Sequence, residues 1–130
     1  MNVGDVRVWE RTFTDEDVRL FARFSGDEGD HHLERDAQGR LMVHGLLTAT
    51  LPTKIGGDMN FIARELTFQF HRPVFAGDTL EYATEVLDLR VSKGLPRYGL
   101  MVARITGTNQ HGELAISFVS TSLLERRSVE

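Results

Sequence analysis

Residues 44–57, "HGLLTATLPTKIGG", form a segment that is apolar nearly all round and that ends in two glycines. This pattern predicts a helix buried on several sides, with Gly56 and Gly57 as its stop. Pro52 lies inside the segment, and because proline has no N–H to donate, we expect it to kink the helix near Leu51. A helix of this kind requires a surrounding layer, which the rest of the chain has to supply.

From residue 61 onward the sequence changes to an alternation of apolar and polar residues, which is typical of strands. Turn signals, "FAGD", "SKGLP" and "NQHG", separate the alternating runs. Two runs are longer than an average strand, which favours a curved antiparallel sheet. We therefore predict an α+β fold in which a curved sheet of about five strands wraps around the apolar helix. The runs are "FIARELTFQFH" (61–71), "TLEYATEVLDLRV" (79–91), "YGLMVARITGTN" (98–109) and "GELAISFVSTSLLE" (112–125).

The N-terminal stretch 6–13, "VRVWERTF", alternates in the same way and predicts a short strand before a helix. Thr14 follows as a capping side chain, and the three carboxylates after it complement the positive end of the helix dipole. We expect this helix to end near Gly26. Its predicted apolar face consists of Val18, Phe21, Ala22 and Phe24.

The composition narrows the class of protein. The chain has 130 residues, no cysteine and a formal net charge of -4, and its length fits one domain over 1–130. The absence of cysteine excludes disulfides, thiolate metal ligands and a cysteine nucleophile. Basic residues are scattered, so we expect no nucleic-acid partner. No apolar run approaches the roughly 20 residues of a membrane span, and the N-terminus lacks a signal-peptide pattern, so we expect a cytoplasmic protein.

The charged stretch 25–45 admits three hypotheses. It could be a solvated loop in front of a buried helix, which is the usual role of such a segment. It could hold a metal, since Asp27 starts a pattern like that of a calcium loop. However, His32 occupies the position where that loop requires glycine, and the chain has neither an "HExxH" motif nor a cysteine pair. We therefore expect no metal and no cofactor.

The third hypothesis is acid/base catalysis by Asp27 and His32. A carboxylate and an imidazole that both reach one water suffice, because one can remove a proton while the other delivers one. A glycine-containing turn separates the two residues and can bring them together. If His32 points inward, we expect His31 to point away as a surface residue.

Gly45 lies at the predicted start of the apolar helix, where free N–H groups favour an oxygen that develops negative charge. A side chain at this position would block close approach of a substrate carbonyl. His44 precedes it and has two interpretations. It is either a hydrogen-bonded structural histidine, as polar groups at helix starts commonly are, or a substrate-binding residue.

The segments "FARFSGDEGDHH" and "VHGLLTA" resemble the MaoC-like (R)-specific enoyl-CoA hydratases. The motif of that family runs Ser-Gly-Asp, any residue, Asn-Pro, an aliphatic residue and then His, and Ser25, Gly26, Asp27 and His32 match it. The resemblance continues through "LTFQFHRPVFAGDTL" and covers nearly the whole chain. Two features differ from the family. Gly29 and Asp30 stand where the family has Asn and Pro, and the stretch between His32 and His44 is several residues shorter than in typical members.

The resemblance implies a hotdog fold, a homodimer and a thioester substrate carried by coenzyme A or an acyl carrier protein. It also implies Asp27 and His32 as a catalytic dyad around a water, with the Gly45 amide as oxyanion donor. The predicted reaction is reversible hydration of trans-2-enoyl thioesters to (R)-3-hydroxyacyl thioesters. Hotdog folds also host thioesterases, and a non-catalytic acyl-thioester-binding protein is a third possibility. Candidates for phosphate contacts are Arg72, Lys93 and Arg97.

Overall fold

The computed structural model of the protein describes residues 2–50, 54, 61–91, 94 and 97–125. Every strand that the alternation predicts is present, with ends that differ by at most two residues. None of the helices in this part of the chain has the length and hydropathy that a membrane span requires. In chain order the elements are β1 (Val6–Thr12), α1 (Asp15–Ser25), α2 (Asp30–Leu33), α3 (Gly45–Thr48), β2 (Ile62–Phe70), β3 (Thr79–Val91), β4 (Tyr98–Thr108) and β5 (Leu114–Glu125).

The described strands form one antiparallel sheet in the order β1-β3-β4-β5-β2. The long strands β3, β4 and β5 occupy its centre, while β1 and β2 lie at its edges. Register shifts interrupt β3 between Val86 and Asp88 and β2 between Ala63 and Glu65. Such bulges bend a strand and increase its twist, which accounts for the curvature that the strand lengths predict. The predicted α+β class, with a curved sheet of five strands, is confirmed.

The apolar segment begins its helix where predicted, because α3 starts at Gly45 and buries Leu47 and Thr48. The hydroxyl of Tyr82, on the inner face of β3, donates to the carbonyl oxygen of Thr48 at 2.6 Å. Burial raises the pKa of this phenol well above its ordinary value. Leu46, in contrast, is largely exposed, so the helix start is not buried on every side.

The predicted continuation of this helix is wrong at its next two residues, because α3 ends at Thr48 with Ala49 as its C-cap, and Ala49 and Thr50 form a turn. Leu51, Pro52, Gly56 and Gly57 lie outside the described residues. The kink at Pro52 and the stop at the two glycines therefore stay predictions.

The helix α1 has the predicted ends. Thr14 forms a capping box with Asp17, in which each side chain accepts from the other residue's backbone N–H. Gly26 ends the helix with φ +78°, a left-handed conformation that glycine adopts without steric cost. Phe24 is 88% exposed, so its predicted place on the apolar face was wrong. Six residues after Val18, it has rotated away from the buried stripe of the helix.

The turn "FAGD" (75–78), between β2 and β3, is held by backbone hydrogen bonds against the segment that precedes α3. Gly77 adopts φ +99° in this turn. The N–H of Val43 donates to the Val74 carbonyl at 2.7 Å, and the N–H of Ala76 donates to the Leu41 carbonyl at 2.8 Å. These two bonds fix the backbone on either side of Met42. The turn therefore determines where the following residues, His44 and Gly45, enter α3.

Candidate active site

The first element of the site is the turn that follows α1. The left-handed Gly26 redirects the chain, and the N–H of Asp27 donates to the Ser25 hydroxyl at 3.0 Å. Three residues later the chain forms α2, whose first turn contains Asp30 and whose only buried residue is His32. The sequence analysis predicted a loop here and missed α2. A helix of four residues is too short for a hydrophobic period, and only the acidic residue at its start signals it.

Asp27 and His32 lie together as predicted. Their side chains approach to 3.7 Å between Oδ2 of Asp27 and Nε2 of His32. The carboxylate side chain is 57% exposed, whereas the imidazole is almost fully buried. The site therefore combines a fixed imidazole with a carboxylate that solvent and a small substrate can reach.

The hydrogen bonds of His32 define its tautomer. Its Nδ1 lies 2.8 Å from the carbonyl oxygen of Met42, and because a carbonyl only accepts, Nδ1 carries the proton of this bond. In the neutral ring Nε2 then presents a lone pair toward Asp27. Two acceptors that face each other across 3.7 Å are complementary to a molecule that donates two protons. Water is the simplest such molecule, and its oxygen would become more nucleophilic when both acceptors withdraw proton density.

His44 packs behind this pair and is only 2% exposed. Its Nε2 donates to the backbone carbonyl of Asp27 at 2.8 Å, and Phe21 of α1 contacts its ring edge-on with centroids 4.9 Å apart. This is the hydrogen-bonded structural histidine that one interpretation of the sequence predicted. The observed contacts make His44 a support for the Asp27 turn. Its Nδ1 has no hydrogen-bond partner among the described residues, and a substrate contact by that atom stays a prediction.

Three imidazoles are in contact at this site. The rings of His32 and His44 stack with centroids 3.7 Å apart and planes 13° apart. The ring of His31 lies 3.9 Å from that of His32, tilted by 48°. His31 is exposed, as expected, but the expectation that it points away from His32 was wrong. Two consecutive residues of one helical turn usually diverge, and here the short α2 brings their rings together.

The site also contains three potential metal donors. Within the described residues, Asp27, His32 and His44 each offer one ligand atom, and these atoms lie within 4.8 Å of one another. An imidazole binds a metal through a lone pair in the plane of its ring. Because the two stacked rings are nearly parallel, their lone pairs do not converge on one point as a tetrahedral site requires. The arrangement fits acid/base chemistry better than metal binding.

Gly45 begins α3 next to this group. A Cβ at position 45 would lie 2.9 Å from Cε1 of Phe70, so the side chain of β2 closely covers this glycine. Gly45 and Phe70 line a shallow cavity of about 250 Å³ together with Met42, His71 and Arg72. The cavity places an open surface directly beside the residue predicted as oxyanion donor.

The predicted phosphate contacts lie far apart in one chain. The guanidinium of Arg72 forms an ion pair with Glu113 at 3.0 Å, and the backbone N–H of Arg72 donates to the Ala115 carbonyl near the start of β5. Arg97 directly precedes Tyr98, which pairs with Glu125 at the other end of β5. About ten extended residues, or about 33 Å, separate these two places. The two arginines therefore do not contact the same phosphate within one chain, and Lys93 lies outside the described residues.

Comparison with known protein families gives one match over most of the chain. The family described as "FAS1-like, dehydratase domain region" matches residues 3–118. Among curated proteins, the mesaconyl-CoA hydratases of Haloarcula hispanica and Haloarcula marismortui are 32% and 34% identical over 86 residues. The matched part is 65% of this chain and 23% of each relative. The chain thus spans about a quarter of the length of these relatives.

Solved structures share the fold. The MaoC-like dehydratase from Rhodospirillum rubrum superposes with a TM-score of 0.82 at 21% identity, over 99% of this chain and 96% of that one. The (R)-hydratase from A. caviae, described as involved in PHA biosynthesis, gives a TM-score of 0.78 at 28% identity, over 94% and 96%. The curved antiparallel sheet of five strands matches the hotdog fold of these neighbours.

Proposed function

Since the chain belongs to the family of FAS1-like dehydratase domain regions, we propose that it catalyses the reversible hydration of trans-2-enoyl thioesters to (R)-3-hydroxyacyl thioesters. One observation carries this proposal. Nε2 of His32 and the carboxylate of Asp27 are two acceptors 3.7 Å apart, a separation at which one water beside them can donate a proton to each. The names of the hydratases and dehydratases reported above agree with the same chemistry.

In the proposed reaction Asp27 and His32 hold the water between them. As its oxygen forms a bond to C3 of the enoyl group, the dyad removes one proton from the water and delivers a proton to C2 on the same face. The proton count of the dyad is unchanged over the cycle, so no further acid or base is needed. The reverse sequence eliminates water from the 3-hydroxyacyl thioester.

The thioester carbonyl accumulates negative charge while the C3–O bond forms. We propose that the backbone N–H of Gly45 donates to this oxygen and stabilises the enolate. Glycine at this position permits close approach, since the cavity beside it is already narrowed by Phe70. The carrier of the acyl group is proposed to be coenzyme A or an acyl carrier protein. Coenzyme A is the first choice, because the two Haloarcula relatives are named for a coenzyme A ester.

We also propose that the chain forms a homodimer. The edge strand β2 pairs only with β5 among the described strands and exposes apolar side chains at Ile62, Leu66 and Phe70. An uncovered edge with apolar residues favours association with another chain. Sedimentation at micromolar concentration should give a dimer, and Leu66→Glu should weaken it. A monomeric wild-type protein under these conditions would contradict the proposed assembly.

The activity is tested by incubating the protein with crotonyl-CoA and with acetyl-CoA. Loss of enoyl absorbance, without release of free thiol, is the result expected for a hydratase. Release of thiol would identify a thioesterase, and thioester binding without turnover would identify a non-catalytic binding protein. Chiral analysis of the hydrated product then checks the (R) configuration.

A further inference from the structure

The inference concerns His31, which stands next to the proposed catalytic histidine. In the hydratase motif an aliphatic residue occupies this position. Here the position carries a second imidazole, whose ring centroid is 3.9 Å from that of His32. His44 stacks on His32 at 3.7 Å, so the buried His32 ring is in contact with an imidazole from each of two elements.

The contact between His31 and His32 depends on Gly29. A Cβ at position 29 would lie 2.9 Å from Cε1 and 3.3 Å from Nδ1 of His31. The first of these distances is shorter than real Cβ contacts, so any side chain at position 29 would displace the His31 ring. The backbone of Gly29 has φ -55° and ψ 146°, which other residues adopt equally well. Glycine is therefore required here for space and not for backbone conformation.

The backbone of His31 is fixed by the same residue that holds the His32 side chain. The N–H of Met42 donates to the His31 carbonyl at 3.1 Å, while the Met42 carbonyl accepts from Nδ1 of His32 at 2.8 Å. The neighbours of Met42 in the chain, Leu41 and Val43, are hydrogen bonded to Ala76 and Val74, at and beside the "FAGD" turn. The ring of His31 thus packs against His32 from a backbone that is anchored to the sheet.

We propose that His31 is a positioning residue for His32, and that Gly29 is the residue that makes room for it. The His31 ring limits rotation and tilting of the His32 ring, and so keeps Nε2 directed at Asp27. The proposal rests on the proposed hydratase function, because it assigns to His31 the orientation of the imidazole that handles the proton. It also gives a physical reason for the glycine at position 29.

The first test uses four variants: His31→Ala, His31→Phe, Gly29→Ala and the double variant Gly29→Ala/His31→Ala. With crotonyl-CoA, His31→Ala should lower kcat about 10-fold with little change in KM, because misplacement of a catalytic group mainly affects the chemical step. His31→Phe retains an aromatic ring and should recover most of the loss. Gly29→Ala should also lower kcat, but it should cost little in the His31→Ala background, where no ring is left to displace.

The second test does not depend on activity. The Nδ1 proton of His32, which is hydrogen bonded to Met42, is followed by NMR as it exchanges with solvent. Its exchange should be about 10-fold faster in His31→Ala and near the wild-type rate in His31→Phe, since freer ring motion breaks this hydrogen bond more often. His111→Ala, which removes an exposed imidazole from the turn between β4 and β5, is the matched control and should leave exchange and kcat unchanged.

An unchanged exchange rate in His31→Ala would overturn the proposal. So would a Gly29→Ala effect of equal size with and without His31, because the two positions would then act independently. If the wild-type protein hydrates no enoyl thioester, the proposed function fails, while the exchange measurement still decides whether His31 positions His32.

Discussion

The Nδ1–H of His32 donates to the carbonyl oxygen of Met42 at 2.8 Å. This bond joins the segment that follows α1 to the segment that precedes α3. Met42 is itself positioned by the "FAGD" turn, through the bonds from Val43 to Val74 and from Ala76 to Leu41. The orientation of the proposed catalytic imidazole therefore depends on a turn that lies more than 30 residues later in the sequence.

The first prediction tests this dependence at Gly77. Its φ of +99° is unfavourable for a residue with a Cβ, so Gly77→Ala should lower the free energy of unfolding by about 1–2 kcal/mol. Because the turn positions Met42 and through it His32, kcat should fall as well. Urea unfolding and turnover of crotonyl-CoA measure the two effects.

Gly112→Ala is the matched control for this prediction. Gly112 has a φ of +76° in the turn between β4 and β5, and its N–H bonds to Asn109 and not to the segment around Met42. It should lose similar stability and retain kcat. An equal loss of kcat in both variants would show that the turn at Gly77 has no specific effect on the site.

The second prediction concerns Gly45. A methyl group at this position would lie 2.9 Å from Cε1 of Phe70, which is a ring atom of a side chain that a small rotation can shift. Gly45→Ala should therefore fold. Its methyl group should keep the substrate carbonyl away from the backbone N–H, which alanine retains, so turnover should fall by about 100-fold or more, the usual cost of losing one oxyanion hydrogen bond. The double variant Gly45→Ala/Phe70→Leu relieves the contact with the phenylalanine ring. It should stay inactive if the lost interaction is the approach of the substrate carbonyl, and recovery of activity would instead point to a steric effect of Phe70.

The third prediction concerns the pH dependence of stability at Asp17. Burial raises the pKa of this carboxyl, but hydrogen bonds from the Thr14 backbone and from Arg11, together with the charge of Arg11, outweigh burial and hold the pKa below its usual 3.8. A carboxyl with a lowered folded-state pKa stabilises the fold at higher pH, and this contribution is lost as pH falls through the folded pKa.

Asp17→Asn should accordingly lower the free energy of unfolding at neutral pH, and the difference from wild type should shrink as the pH falls below the usual carboxyl pKa. Urea unfolding at a series of pH values measures this difference. Glu16→Gln removes a carboxylate from the same helical turn without affecting the bonds to Thr14 and Arg11, so it should show a smaller change. A difference between wild type and Asp17→Asn that is independent of pH would contradict the account.

Much of the fold could be predicted from the sequence, because its signals are local. Alternation over "TLEYATEVLDLRV" gives the bounds of β3 without error, and Thr14 and Gly26 mark α1 because capping and left-handed termination need particular residue types. The pairing of Asp27 with His32 was also accessible, since a short turn joins them.

Other features depend on contacts between distant residues and have no local signal. The hydrogen bond from His32 to Met42 and the separation of Arg72 from Arg97 follow from sheet topology. The contact between the rings of His31 and His32 arises because α2 is a single turn with a glycine before it. A periodicity argument does not detect a helix of that length.

The most direct test of the central claim is turnover of crotonyl-CoA by Asp27→Asn, His32→Ala and the double variant, each with its fold verified by circular dichroism. Asp27→Asn retains the size and hydrogen bonding of the side chain but removes the proton-accepting charge, and His32→Ala removes its partner. Each should lower kcat by about 100- to 10,000-fold, the usual contribution of general acid/base catalysis. Because both residues act on one water, the double variant should be little worse than the poorer single variant. Wild-type turnover in both single variants would contradict the proposed mechanism, even with the hotdog fold intact.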